Sequence, residues 1–284
     1  MIQEIEPRKL DNQYRNQKPK ENDLICCFMG DKLLVERSQD DELKLLDYQE
    51  VMNYIESNHN LGEVHFRYLF SIDKQSYFLL NDIEITEFLD YHYESLQSIR
   101  QSRSKEVCFA AFTAYHLYGW YRDNRYCGRC GNTMLHDENE RSLYCPECSN
   151  RIFPKIAPAV IVAVTKGDKL LLTKYNGRAY KNYALIAGFA EIGETLEETV
   201  KREVMEEVGV KVKNITYYKN QPWGINENLL IGFFAELDGD DTISMDENEL
   251  SLAGWYPRWD LPIEKDPGLS LTGEMIEKIR MMPK

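Results

Sequence analysis

Apolar positions along this chain repeat with two different periods, and the alternation between them lays out its parts. In the first third, LICCFMG at Leu24 to Gly30, KLLVE at Lys32 to Glu36, and HFRYLFSI and SYFLL between His65 and Leu80 are short alternating or continuous apolar runs. They predict an antiparallel sheet with short turns, part of a small α+β lobe. From about Asp90 to Tyr121 the period becomes helical, with Phe109, Phe112, Tyr115, Leu117 and Trp120 on one broad aromatic face. That face suits a core or a dimer interface, with base stacking as the alternative use.

After Arg151 to Pro158 the composition changes, and APAVIVAVTKGDKLLLTKY reads as two strands joined at Lys166 to Lys169. YALIAGFAE is a third strand, and it runs into a loop and a helix. Thr195 followed by Glu198 is a capping-box pattern, and Gly209 supplies a stop, so the helix is predicted over Leu196 to Val208. ITYYKNQPWG, NLLIGFFAEL and LAGWYP are further strands, and LTGEMIEKIRMM is a closing helix. A mixed sheet covered by two helices is the expected result, and the acidic run from Asp238 to Glu249 is expected to be a solvated loop. His65, His92 and His116 sit among apolar residues and read as packed or surface histidines.

Size and charge narrow the picture. The chain has 284 residues, 43% apolar, enough for two modest domains with ample cores. No apolar run approaches the roughly 20 residues that span a bilayer, and MIQEIEPRKLDN has no basic leader followed by an apolar core. The expected location is the cytoplasm, with no membrane partner. A net charge of −13 disfavours general nucleic-acid or anionic-membrane binding while leaving room for a local basic pocket.

Two groups of residues carry chemistry. Glu203, Glu206 and Glu207 stand at i, i+3 and i+4 on the helix, beside the apolar stripe of Val200, Val204 and Val208. Like charges beside a buried seam repel, and hard divalent cations such as Mg2+ or Mn2+, which prefer oxygen ligands, relieve that repulsion. Cys127-x2-Cys130, fourteen residues, then Cys145-x2-Cys148 gives two knuckles, each followed by a small residue (Gly131, Ser149) suited to a tight turn. Four thiolates complete a tetrahedral Zn2+ and leave no position for water, which marks a structural site. Two disulfides fit badly with a chain that also carries Cys26, Cys27 and Cys108, read as buried small apolar residues.

The stretch from Gly188 through Glu194 to Arg202-Glu203-Val204-Met205-Glu206-Glu207-Val208-Gly209-Val210 holds every fixed position of the Nudix box, so the chain resembles a Nudix hydrolase. An ordinary acidic helix would not reproduce nine spaced positions. With the four-cysteine ribbon before it and Gln221-Pro222-Trp223 after it, the sequence is similar to the NADH pyrophosphatases over about residues 95 to 276. That resemblance implies an N-terminal α+β domain over 1–122, a zinc ribbon over 123–153 and a Nudix α/β/α sandwich over 154–284. It also implies cleavage of NAD(H) to nicotinamide mononucleotide and AMP, removal of the NAD cap from RNA in some members, structural zinc, Mg2+ or Mn2+ for catalysis, and a homodimer.

Carried over residue by residue, the catalytic metals would be held by Glu203 and Glu207 with Glu206 alongside, the carbonyl of Ala187, and Glu249. Glu206 and Glu249 are both candidates for the general base. Arg202 is expected to orient the site by pairing with Glu194 or Glu206. The family's aromatic after the last zinc cysteine falls on Phe153, where tyrosine is common, and its other substrate contacts fall on Glu140 and Thr272. Phe189 is a further stacking candidate.

The family signature continues after Gln221-Pro222-Trp223 as Pro-Phe-Pro-x-Ser, whereas here Gly224, Ile225, Asn226, Glu227 and Asn228 follow. Gly224 is expected to loosen this loop, Glu227 to repel an anionic dinucleotide unless it faces solvent, and Asn228 to hydrogen-bond in place of serine. Three readings stay open: an NAD(H) pyrophosphatase, a Nudix enzyme acting on another nucleoside diphosphate derivative such as ADP-ribose or a dinucleoside polyphosphate, and a non-catalytic sensor, although a sensor would usually carry a broken box.

Overall fold

The structure is a computed structural model that describes residues 1–58, 63–80, 83, 85–86, 88–177, 182–261 and 269–282. The chain divides into two units, one of Gln3–Lys155 with Gly224–Glu227, the other of Met1–Ile2, Ile156–Trp223 and Asn228–Lys284.

The first unit contains β1 (Leu10–Asp11), β2 (Leu24–Met29), β3 (Lys32–Arg37), β4 (Leu43–Lys44), β5 (Leu46–Asp47), α1 (Tyr48–Ser57), β6 (Phe66–Ile72), β7 (Gln75–Leu80), β8 (His92–Ser95), α2 (Leu96–Arg100) and α3 (Lys105–Asp123). Its main sheet has the order β1-β6-β7-β2-β3-β4. The apolar runs become strands as predicted, and Gly30 and Asp73 take left-handed φ values of 62° and 53° in the two hairpin turns. One pairing departs from the antiparallel expectation, because β2 and β7 run parallel from Leu24↔Tyr77 to Cys27↔Leu80. Alternation along a strand specifies its buried face, but it carries no information on the direction of a neighbour far along the chain.

The helix expected from Asp90 begins only at Lys105. His92 to Ser95 instead pair with β3, and Ser95 caps the short α2 by accepting the amide of Ser98. On α3, Phe109, Phe112, Leu117 and Trp120 are buried in the core of this unit, and half-buried Tyr115 packs on Phe28 with ring centroids 5.5 Å apart. Cys26, Cys27 and Cys108 are buried, as expected. His116 hydrogen-bonds the carbonyl of Lys155 at 2.8 Å, His92 bonds Glu94 at 2.9 Å, and His65 is an exposed residue near Glu63. The unit ends in a three-stranded antiparallel sheet of β9 (Leu135–His136), β10 (Leu143–Tyr144) and β11 (Arg151–Ile152), in the order β11-β10-β9.

The second unit contains β12 (Ala157–Lys166), β13 (Lys169–Tyr175), β14 (Ile186–Phe189), α4 (Leu196–Val208), β15 (Val212–Trp223), β16 (Asn228–Leu237), β17 (Leu250–Pro257) and α5 (Leu271–Arg280). The sheet order is β15-β16-β12-β13-β17, with β14 also paired to β12. It is mixed, since β12 and β16 run parallel and the remaining pairs antiparallel.

β12 reads as a continuous apolar run because both of its faces are covered. Val160, Val162 and Val164 join Val200, Val204 and Val208 of α4 in one core, while Ile161 and Ala163 join Leu271, Met275, Ile276 and Ile279 of α5 in the other. Pro222, which lacks a ladder donor, falls on the edge strand β15 where the loss is tolerated. Among the described residues, no helix is long and apolar enough to cross a membrane.

α4 starts and stops where the caps require. Thr195 accepts the amide of Glu198, Glu198 accepts the amide of Thr195, and Gly209 sits at φ 71° with its N–H on the carbonyl of Met205. A Thr195→Ala variant is expected to lower unfolding free energy by about 1 kcal/mol, read as a shifted urea midpoint at unchanged slope.

Candidate active site and zinc centre

Burial of the Val200, Val204 and Val208 stripe against β12 fixes how α4 presents its acids. Glu207, 2% exposed, turns inward, and its Oε1 accepts the amide of Ala187 at 3.4 Å. Glu203 is 12% exposed and Glu206 is 60% exposed. The three therefore descend from core to solvent across one end of the sheet. Burial pushes the Glu203 carboxyl pKa upward, opposed by Arg202 and reinforced by the charges of Glu206 and Glu249.

Arg202 holds this crowd together. Its Nε and Nη2 grip the two oxygens of Glu194 at 2.6 and 2.9 Å, Nη1 reaches Glu203 at 2.7 Å and Glu206 at 2.9 Å, and Nη2 also donates to the carbonyl of Phe189 at 2.8 Å. The fork clamps Glu194, whose carboxyl is held at about 2 by Arg202 first and by the amide of Glu191 next. The expected pairing of Arg202 with Glu194 or Glu206 is thus found with both, and Glu203 is added to it. The loop between β14 and α4 is secured by the same side chain.

The acidic run 238–249 is irregular and mostly exposed, in keeping with a solvated loop, but its backbone is not free. Ser244 and Asp246 donate their amides to the carbonyls of Val208 and Glu207, which α4 leaves open at its end, and Asn176 donates to the carbonyl of Glu249. These bonds carry exposed Glu249 to where its charge is felt by Glu203. Spacing in the sequence gives no sign of that anchorage, because it joins backbone groups rather than side chains.

Gly188 of β14 answers to the same site. A Cβ built there would stand 1.9 to 2.1 Å from the carboxyl atoms of Glu203, so a larger residue would require the Glu203 carboxylate to move from this position. Oxygen donors on a rigid helix, a cradle that a Cβ would fill, and uncompensated carboxylate charge fit a divalent cation. Among the described residues, the one group whose ligand atoms all lie within 4.8 Å of one another is the cysteine set, so the acids are brought near one another without being closed on a single point.

Other predicted contacts stand as follows. Gln221 is fully buried, and its amide spans the start of α5, donating to the carbonyl of Leu269 at 2.9 Å and accepting the amide of Leu271 at 2.8 Å. Pro222 is exposed and Trp223 half buried, paired in register with Leu229 and Asn228. Asn228 is buried, and its Oδ1 accepts no hydrogen bond from the described residues. Thr272 is half buried on the first turn of α5, beside the Ser270 cap. Phe189 is 52% exposed at the end of β14.

In the other unit Phe153 is 50% exposed, and Glu140 pairs with Arg151 at 2.7 Å. Gly224 does not loosen its loop. It is buried in a 3-10 turn, Gly224–Asn226, and a Cβ on it would lie 1.9 Å from the carbonyl oxygen of Phe112 on α3. Glu227, at a left-handed φ of 58°, lays its carboxylate against Gly119 of α3. This segment is close-packed on a helix, which the sequence could not reveal without knowing its neighbour.

The four cysteines come together from two copies of one turn. Gly131 and Ser149 are left-handed at φ 79° and 56°, and their amides bond the carbonyls of Cys127 and Cys145 at 2.8 and 3.0 Å. The amide of Arg129 donates to Cys127 Sγ at 3.4 Å and pulls that thiol down to about 6. All four Sγ atoms lie within 4.8 Å of one another, and this donor set fits tetrahedral zinc.

Comparison with known proteins agrees with this layout. Residues 155–278 match the NUDIX domain, and residues 122–153 match the NADH pyrophosphatase zinc ribbon domain. The chain is 38% identical over 182 residues to the NAD-capped RNA hydrolase NudC of Citrobacter koseri, covering 63% of this chain and 70% of that one. It is 43% identical over 173 residues to the protein of the same name from Shigella boydii serotype 18, covering 60% and 67%. With NudC of Shigella flexneri it shares 44% identity over 152 residues, spanning 59% of that protein. A solved NUDIX hydrolase from Nitrosomonas europaea is 21% identical with a TM-score of 0.41, covering 49% of this chain and 80% of that chain. The chain belongs to the Nudix hydrolases, in the branch that carries the NADH pyrophosphatase zinc ribbon.

Cys145→Ser should abolish stoichiometric zinc in metal analysis and open the ribbon to limited proteolysis, since structural zinc supplies on the order of 10 kcal/mol of folding free energy in small modules. Gly224→Ala should destabilise by roughly 1 to 3 kcal/mol through overpacking against the α3 backbone, visible as a lower Tm.

Proposed function

We propose that the chain hydrolyses the pyrophosphate of NAD(H), releasing nicotinamide mononucleotide and AMP, and removes the NAD cap from RNA 5′ ends. The observation that carries this reading is the joint presence of the ribbon and an unbroken Nudix box in one chain, at about 40% identity to proteins named as NAD-capped RNA hydrolases. The division into 1–122, 123–153 and 154–284, a homodimer and a cytoplasmic location belong to the same reading.

In it, Glu203, Glu207, Glu249 and the carbonyl of Ala187 hold Mg2+ or Mn2+, with Glu206 beside them. Such ions, when bound, neutralise charge on the phosphate oxygens and lower the cost of deprotonating water. Glu206, which reaches furthest into solvent, or Glu249 takes the proton as water attacks phosphorus and the bridging P–O bond breaks. Arg202 positions Glu203 and Glu206 and spares them mutual repulsion. Phe153, Phe189 and Trp223 offer rings for the bases, and Glu140, Thr272 and Asn228 offer polar contacts. Pro222 shapes the turn beside Trp223, and Gln221 acts by fixing the start of α5.

The segment after Trp223 supports a second reading, a Nudix enzyme acting on ADP-ribose or a dinucleoside polyphosphate. It has no Pro-Phe-Pro wall, and Gly224–Glu227 is packed on α3. Comparison of kcat/KM for NADH, NAD+, ADP-ribose and diadenosine diphosphate separates the two. The expected outcome is cleavage of both nicotinamide dinucleotides, with NADH preferred by less than about a hundredfold. Cleavage of ADP-ribose or diadenosine diphosphate, with neither nicotinamide dinucleotide cleaved, would establish the second reading. In the same assays Glu207→Gln should reduce turnover by roughly three orders of magnitude, with thermal stability little changed.

A further inference from the structure

The small sheet of the ribbon has an inner and an outer face. Its strands pair antiparallel, with Leu135 opposite Tyr144 and Tyr144 opposite Arg151. An isolated bridge sets Tyr126 opposite Thr133, which stands two residues before Leu135. Directly opposed residues and residues two apart share a face of a sheet, so Tyr126, Thr133, Leu135, Tyr144 and Arg151 stand on one side. The same register puts Met134, His136, Leu143 and Ile152 on the other, where Met134 and Leu143 are buried. The first face is the outer one, yet it is not the plainly polar surface that such alternation leaves to water. Tyr126 is 66% exposed and Leu135 42% exposed, and the Arg151 guanidinium lies 5.8 Å from the Tyr144 ring centroid. Among the described residues, no other ring or cation lies against the Tyr126 ring, and its hydroxyl has no hydrogen-bond partner.

Charge is distributed unevenly over the same module. Residues 122–153 hold five arginines against five carboxylates, so the ribbon is balanced in a chain whose net charge is −13. Arg122 is matched by Asp123, and Arg151 by Asp137 and Glu140. Arg125 and Arg129, both exposed and within three residues of Tyr126, pair with no acid among the described residues. The unmatched acids, Glu138 and Glu147, belong to other turns, the one after β9 and the second cysteine knuckle. The first knuckle thus carries a bare ring together with two uncommitted guanidinium groups. An apolar partner would leave those charges uncompensated, and a lone phosphate would make no use of Tyr126 and Leu135. A flexible strand of flat bases joined by phosphates uses both.

We propose that the outer face of the ribbon docks the single-stranded RNA that follows the cap, an inference that rests on the decapping activity proposed above. Tyr126 stacks one base, Leu135 extends the apolar floor beside it, and Arg125 and Arg129 meet the phosphates on either side. The face reads no particular base, because every base has a flat side to offer. Duplex RNA does not suit it, since its bases are already stacked on one another and turned inward.

Fluorescence anisotropy of a labelled single-stranded RNA of about ten nucleotides, titrated with the full-length, zinc-loaded protein without added Mg2+ or Mn2+, tests it. Tyr126→Ala should weaken binding by about tenfold, whereas Tyr126→Phe, which keeps the ring, should bind within about twofold of the unaltered chain. Replacing both arginines, Arg125→Gln with Arg129→Gln, should reduce the slope of log affinity against log salt by about 1.4. With Mg2+ or Mn2+ supplied, Tyr126→Ala should lower kcat/KM for NAD-capped RNA by about tenfold and leave that for NADH unchanged. Zinc content and Tm equal to those of the unaltered chain verify that each variant is folded. Equal affinity for a duplex of the same length, or binding unchanged in both Tyr126→Ala and the double variant, overturns the proposal. So does a sedimentation mass that halves in Tyr126→Ala, which marks the face as a contact between two copies of the chain. Failure of the unaltered chain to cleave NADH and NAD+ would instead overturn the proposed function, because RNA affinity is measured without turnover.

Discussion

Carboxylates on one helical face repel one another most where they are least hydrated, and α4 places Glu207 and Glu203 at that boundary because its valine seam must be buried on β12. The rest of the second unit follows from containing this repulsion. Arg202 spreads one positive charge over Glu194, Glu203 and Glu206, and the same fork secures the loop that leads into the helix. Gly188 gives up its side chain so that the Glu203 carboxylate has room. What remains is an oxygen-lined cluster with more negative charge than its own cation neutralises, which is the electrostatic condition for recruiting divalent ions and phosphate together.

The acidic loop before β17 contributes through its backbone. α4 ends with open carbonyls at Glu207 and Val208, and the amides of Asp246 and Ser244 satisfy them. A requirement of helix termination thereby brings a fourth acid, Glu249, within the field of Glu203. Stability and site assembly are served by the same hydrogen bonds, so substitutions in this loop that alter its backbone path would act on both.

In the first unit, close packing and thiolate geometry replace charge as the organising constraint. Two repeated turns, each closed by a left-handed residue, bring four sulfur atoms to metal-binding distance. Gly224 meets α3 at a separation no other residue tolerates, so the segment that departs from the family signature is held rigidly. Its effect on substrate choice would come from the ring and prolines it lacks, not from mobility.

Much of this was legible in the sequence, and for a physical reason: helix caps, apolar periodicity and ligand spacing are local properties. The limits of α4, the apolar run that becomes β12 and the zinc knuckles all rest on residues a few positions apart, and each stands where the sequence predicts it. Tertiary structure alone decided the parallel pairing of β2 with β7, the late start of α3, the burial of Gln221 at the head of α5 and the seating of Gly224 on α3. It also decided that Glu249 comes within the field of Glu203 and that Arg202 serves three acids at once. These depend on contacts between segments tens of residues apart, on backbone amides and carbonyls that every residue type offers alike, and on the space left by a neighbour, none of which one-dimensional spacing encodes.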